Sequence, residues 1–75
     1  MQEEKIRIRQ GDEFIRLGQA LKLVGAVSSG FEAKLVITEG EVSVNGEQEL
    51  RRGRKLRDGD VVEFGDYRIS VSGAE

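Results

Sequence analysis

The fold turns on residues 17–40, LGQALKLVGAVSSGFEAKLVITEG. Leu17, Ala20, Leu21 and Val24 recur at i, i+3, i+4 and i+7, one face of an α-helix, and Gly25 follows where a left-handed stop residue belongs. This spacing predicts a short helix from about Leu17 to Val24. A second helix carries signals at both ends: Ser29 and Glu32 have the spacing of a capping box, and Gly40 occupies the stop position. Ala33, Val36 and Ile37 form its apolar stripe, so two short helices joined through GAVS should pack on each other. Phe31 and Leu35 fall off that stripe, beside Lys34. They are expected to be covered by the N-terminal strand or by the lead-in around Phe14; a small contact patch for a protein partner or a base is the alternative.

Outward from this pair the period changes to two. Residues 5–9, KIRIR, place Ile6 and Ile8 on one face and Lys5, Arg7 and Arg9 on the other, a half-buried strand that Gly11 and Asp12 break. Phe14 and Ile15 suit either the first helix or an extended lead-in. Beyond Gly40, Val42 and Val44 alternate with Ser43, Asn45-Gly46 supplies a tight hairpin turn, and Asp58-Gly59-Asp60 makes another. Val62 and Phe64 share a face, Gly65-Asp66 is a second hairpin signal, and Tyr67, Ile69 and Val71 line a last strand. Tyr67 and the three Phe are assigned to the core. The expected class is α+β, with two short packed helices on a small, mostly antiparallel sheet in the order β-α-α-β-β-β. One domain spans residues 1–75: strand and lead-in over 1–13, motif-bearing core over 14–72, and a frayed tail over 73–75.

Composition narrows the chemistry. At 75 residues the chain buries only a modest core, yet 37% hydrophobic residues at regular spacing suit a folded domain. Cysteine and histidine are both absent, which removes disulfides, thiol chemistry, Cys/His zinc sites and histidine acid/base catalysis together. Neither a phosphate-cradling loop nor a dinucleotide fingerprint occurs, and no serine has a recognisable base partner. The expectation is a protein that is not an enzyme, with no catalytic residue, metal or cofactor. A cysteine-free chain without a long apolar run or signal-peptide core reads as cytoplasmic.

Charge is unevenly placed. Five of the 12 cations lie between residues 51 and 57, leaving seven to face all 14 acids. The segment ELRRGRKLRDGD, residues 49–60, holds Arg51, Arg52, Arg54, Lys55 and Arg57 between turn signals, so it must lie at the surface. A passive loop paired with Glu47, Glu49, Asp58 and Asp60 is the plainer explanation. Against it, four of the five cations are Arg, whose planar fork binds phosphate oxygens in pairs, and Gly53 divides the run, opening its backbone N–H groups to an anion. Contact with nucleic acid or another polyanion is favoured. Membrane binding is not, since Leu56 is the one large apolar side chain interleaved with the cations.

From Leu17 to Val71 the chain resembles the αL-motif RNA-binding domain named after ribosomal small-subunit protein four, and within it the stand-alone bacterial YbcJ/YaaA-like group. The resemblance is carried by Leu17, Leu21 and Lys22, by Ser29-Gly30 through Glu32-Ala33-Lys34 to Gly40 and Val42 to Gly46, and by Arg51-Arg52-Gly53-Arg54-Lys55-Leu56 before Asp58-Gly59-Asp60. It implies a basic face that binds structured RNA, ribosomal or tRNA-like. Lys34 matches the helix cation and Arg51, Arg52, Arg54 and Lys55 the loop cations, with Lys22 and Arg57 carried over beside them. Phe31, where relatives often have a small residue, and Gly18, acidic in many ribosomal versions, depart from the pattern. With the low net charge they point to a transient RNA contact, and the chain is expected to be a monomer. A protein-interaction adaptor whose arginines meet an acidic partner is the rival.

Overall fold

A computed structural model describes residues 1–73 of the chain. The elements are β1 (Gln2–Arg7), β2 (Ile15–Arg16), α1 (Leu17–Leu23), α2 (Gly30–Thr38), β3 (Val42–Val44), β4 (Glu47–Gln48), β5 (Lys55–Leu56), β6 (Val61–Phe64) and β7 (Tyr67–Ser72). Five strands form one sheet in the order β1-β7-β6-β3-β4, and β2 pairs with β5 in a separate two-stranded ribbon. All pairings are antiparallel except β1 with β7, where the first strand lies parallel along the last, Ile6 beside Val71. The expected α+β class and helix pair are found. The parallel edge and the two-residue strands β2, β4 and β5 are additions, too short or too non-local for sequence periodicity to reveal.

The hairpin turns follow from residue chemistry. Asn45 and Gly46 both have positive φ, 53° and 84°, the conformation that lets two residues join twisted antiparallel strands. At the second hairpin Gly65 takes φ 56°, and Phe64 pairs directly with Tyr67.

Both helices stop by the same device. At α1 the Gly25 N–H donates to the Lys22 carbonyl and the Ala26 N–H to the Leu21 carbonyl; at α2 the Gly40 N–H donates to Ile37 and the Glu41 N–H to Val36. Each is a Schellman closure around a glycine with φ near 80°, which satisfies carbonyls that the helix leaves open. At the start of α2, Ser29 Oγ accepts the Glu32 N–H at 3.1 Å as expected. The return bond differs: Glu32 Oε1 accepts the Ser28 N–H at 2.8 Å and the Ser28 hydroxyl at 2.9 Å, not the Ser29 N–H. Ser28 offers two donors from one residue, and these hold the Glu32 carboxyl below its ordinary pKa.

One apolar cluster fills the space between the layers. Leu17, Ala20 and Leu21 of α1 and Ala33, Val36 and Ile37 of α2 meet Ile6, Val42, Val44, Val62, Ile69 and Val71 of the sheet. Leu56, inside the basic run, is fully buried too and anchors that segment.

Two expectations about apolar residues fail. Phe31 is 75% exposed and Leu35 45%, because both candidate covers are engaged elsewhere: β1 lies along β7 at the sheet edge, and the Phe14 lead-in continues into β2 against β5. Among the aromatics assigned to the core, Phe64 and Tyr67 pack against it, Phe14 is half-buried and Phe31 is outside. The expected frayed tail is not free at its start, since the Gly73 N–H donates to Asp58 Oδ1 at 2.8 Å. Residues 74 and 75 lie outside the described residues.

Truncating Leu21, which is completely buried between the helices and the sheet, should cost about 2–5 kcal/mol. A domain of this size has only roughly 0.05–0.15 kcal/mol of stability per residue, so Leu21→Ala should show a large fall in urea midpoint at unchanged m-value or be unfolded in water.

Candidate nucleic-acid interface

The basic segment is built around the start of α1. That helix has Arg16 at its N-cap position, a residue whose side chain caps nothing there. Its first free N–H groups are taken by the loop instead: Leu17 donates to the Arg54 carbonyl at 2.9 Å and Gly18 to the Arg52 carbonyl at 3.0 Å. Between them Arg16 Nη1 donates to the Gly53 carbonyl at 3.1 Å. Three successive carbonyls thus face the helix. The Arg54 N–H donates to the Arg51 carbonyl to close the turn, and β5 then pairs with β2, Lys55 opposite Arg16 and Leu56 opposite Ile15.

Gly18 is small for a reason. A Cβ there would fall 2.7 Å from Arg52 Cγ, so the bare backbone lets the Arg52 stem cross the first turn of α1. Gly53 does not take a positive φ, and its carbonyl, rather than an N–H facing an anion, makes its contact. This hydrogen bond pins the turn through the carbonyl.

The cations fall into linked groups. Lys22 and Arg52 line one groove of about 460 Å³ together with Arg16, Gly18 and Gln19, with Gly30 and Ala33 of α2 on its other side. Arg51, Arg54 and Lys55 line a shallower concavity across Gly53. Lys55 and Arg57 meet over the Phe14 ring, with Lys55 Nζ 4.9 Å and the Arg57 guanidinium 5.7 Å from its centroid, and Arg16 joins them at 5.3 Å. Such cation–π contacts hold long side chains over a fixed surface. Lys34 lines none of these concavities. It is exposed one turn beyond Gly30, on the same side of α2 by helical period.

The nearby acids divide their work. Asp58 accepts the Gly73 N–H, while Asp60 accepts the Arg57 N–H with one oxygen and the Asn45 amide with the other. Glu49 alone among the described acids pairs with the run: its Oε2 lies 3.0 Å from Arg51 Nε and its Oε1 3.1 Å from Arg54 Nη1. The plainer explanation of the charge run therefore holds for Arg51 and Arg54. One carboxylate against two guanidinium groups still leaves that pair net positive. Hydrogen bonds from the Arg51 side chain, working against burial and helped by the Arg51 N–H and Arg54, hold the Glu49 carboxyl down to about 2. Among the described residues, Lys22, Lys34, Arg52, Lys55 and Arg57 form no ion pair.

Sequence periodicity does not single out two members of this surface, Arg16 and Phe14. Their one signal is the lead-in that suits helix and strand equally. Only the pairing of β2 with β5 brings them beside the loop.

A family model for the S4 domain matches residues 6–72. A protein of Bacillus subtilis named "Probable ribosome maturation protein RlbA" is 52% identical, the match covering 76% of this chain and 84% of that protein. YbcJ of Escherichia coli is 39% identical over 76% of this chain and 81% of its own. The solution structure of YbcJ, described as revealing an αL motif involved in RNA binding, superimposes with a TM-score of 0.69 at 32% identity, covering 91% of this chain and 85% of that one.

Because Glu49 has a lowered pKa in the folded protein, its contribution to stability is complete above its ordinary value of 4.5 and is lost as pH falls towards about 2. Urea unfolding across that window should show the loss in the wild-type chain, and Glu49→Gln should remove this component of the pH dependence.

Proposed function

This chain belongs to the S4 domain family, and on that premise we propose that it is a non-catalytic binder of structured RNA, ribosomal or tRNA-like. The observation that carries the proposal is the groove where Arg52 and Lys22, neither of them ion-paired among the described residues, meet Arg16 between the two helices and the pinned turn. Arg51, Arg54, Lys55 and Arg57 extend the positive surface along the loop, and Lys34 extends it along α2.

The mechanism is electrostatic and geometric. Each cation that meets a phosphate displaces condensed counterions, so affinity falls steeply with salt. Arg forks add paired hydrogen bonds to phosphate oxygens. Selection comes from shape, because cations tethered to a capped helix and a short ribbon have fixed spacing, and a folded RNA must present phosphates to match. The name of the Bacillus subtilis relative supports a place in ribosome-linked RNA metabolism, and the proposed setting is the cytoplasm, with the chain acting as a monomer. Its formal net charge of −2 fits a transient contact, since the positive face is local and the rest of the surface does not hold RNA indiscriminately.

One observation favours a second reading. Phe31 and Leu35, exposed together on α2, suit an adaptor that grips an acidic protein by combining this apolar pair with the arginines. Such a complex would survive nuclease treatment.

Lys22→Glu with Arg52→Glu should weaken binding to a structured RNA and reduce the salt slope of log K by about two, one for each phosphate that is no longer neutralised. A double variant that binds with wild-type affinity and slope would exclude this face. Gly18→Ala should leave the circular dichroism spectrum unchanged while displacing Arg52, and should weaken RNA binding in the same direction.

A further inference from the structure

A second groove adjoins the surface described above, sharing Gln19, Lys22 and Phe14 with it, and its remaining lining belongs to no part of that surface. Its volume is about 460 Å³, and it runs between the end of β1 and the exposed edge of α1. Phe14, Ile15 and Leu23 supply apolar lining, with Leu23 66% exposed at its lip. Arg7, Arg9 and Lys22 stand around it as cations, none of them in an ion pair among the described residues. Asp12 and the Gln19 amide are its other polar groups.

We propose that this groove receives one unpaired nucleotide of the bound RNA. The inference rests on the RNA-binding function proposed above and adds a ligand group to it. Apolar lining bounded by cations complements a single nucleotide, whose base is flat and poorly hydrated on its faces while its phosphate is anionic. Three cations against one carboxylate give the groove the sign an anion needs, and its volume falls within the usual range for a small-ligand site. Gln19 and Asp12 supply acceptors and donors for the edge of a base, which is how unstacked bases in loops and bulges are read.

Continuity selects RNA over other anionic ligands. Gln19 and Lys22 line both grooves, so the two are contiguous and share a cation along which a strand leaving the helix–loop groove reaches this one. Phe14 is shared in a different way: it lines this groove while Arg16, Lys55 and Arg57 gather over its ring. The loop cations and the base site therefore meet on one side chain.

The test compares a fully paired RNA hairpin with the same hairpin carrying a single bulged nucleotide, replaced in a parallel sample by 2-aminopurine. Wild-type protein should bind the bulged form at least fivefold more tightly, roughly the lower end of what stacking one base confers, and should change the 2-aminopurine fluorescence. Arg9→Gln with Leu23→Ser, both at exposed positions outside the face proposed above, should abolish this gain and leave affinity for the paired hairpin unchanged. If wild-type protein binds both hairpins equally, or if the double variant keeps the gain, the nucleotide site is overturned and the RNA-binding proposal stands. If neither hairpin binds, both fall. Shifts of the Ile15 and Leu23 methyl resonances with an acidic peptide, and none with the bulged hairpin, would assign the groove to a protein ligand and overturn the nucleotide site.

Discussion

The surface depends on how the first turn of α1 is capped. A helix needs partners for its first N–H groups, and most take them from a Ser, Thr, Asp or Asn next to it in sequence. Here the partners are carbonyls of Arg52 and Arg54, far along the chain from Leu17 and Gly18. One set of hydrogen bonds thus completes the helix and fixes the loop, and Leu56 anchors the far end of that loop in the core. With the carbonyls turned inward, the Arg and Lys side chains are left to the solvent face. Arg16 tightens the same joint by donating to Gly53.

Fixing the loop also explains how so many cations coexist. Mutual repulsion would otherwise favour a splayed, mobile segment. Glu49 restrains Arg51 and Arg54, the Phe14 ring gathers Arg16, Lys55 and Arg57, and Gly18 gives Arg52 a track across α1. Asp58 and Asp60 each accept a backbone N–H, so they organise turns and form no ion pair with the run. Preorganisation of this kind lowers the entropy lost when long side chains meet a ligand. It suits a small domain with little stability to spare, because the bonds that shape the surface are also bonds that fold the chain.

The family match and the superposition on YbcJ agree with this architecture over most of the chain. Phe31 bears on partners: a large apolar side chain off the stripe of α2 stands in solvent near Lys34, where the N-terminal strand or the Phe14 lead-in is expected to cover it. Its exposure is a matter of topology. The strand and lead-in that could have reached it are held by β7 and β5.

Local signals were legible in the sequence. The apolar stripes of both helices, Gly25 and Gly40 at their ends, the Asn45-Gly46 and Gly65-Asp66 turns and the inward Ile6 and Ile8 all follow from periodicity and φ preferences, which act within a few residues. So did the surface position of the arginine run. What the sequence could not carry is anything resting on contacts between distant segments: the parallel seating of β1 on β7, the capping of α1 by loop carbonyls, and the arrival of Arg16 and Phe14 beside the loop. Periodicity tells which face of an element is apolar but not which element it will meet. The residues alone determined two packed helices, a sheet and an exposed basic run; tertiary hydrogen bonding decided which of those cations are restrained, which are free, and what lies next to them.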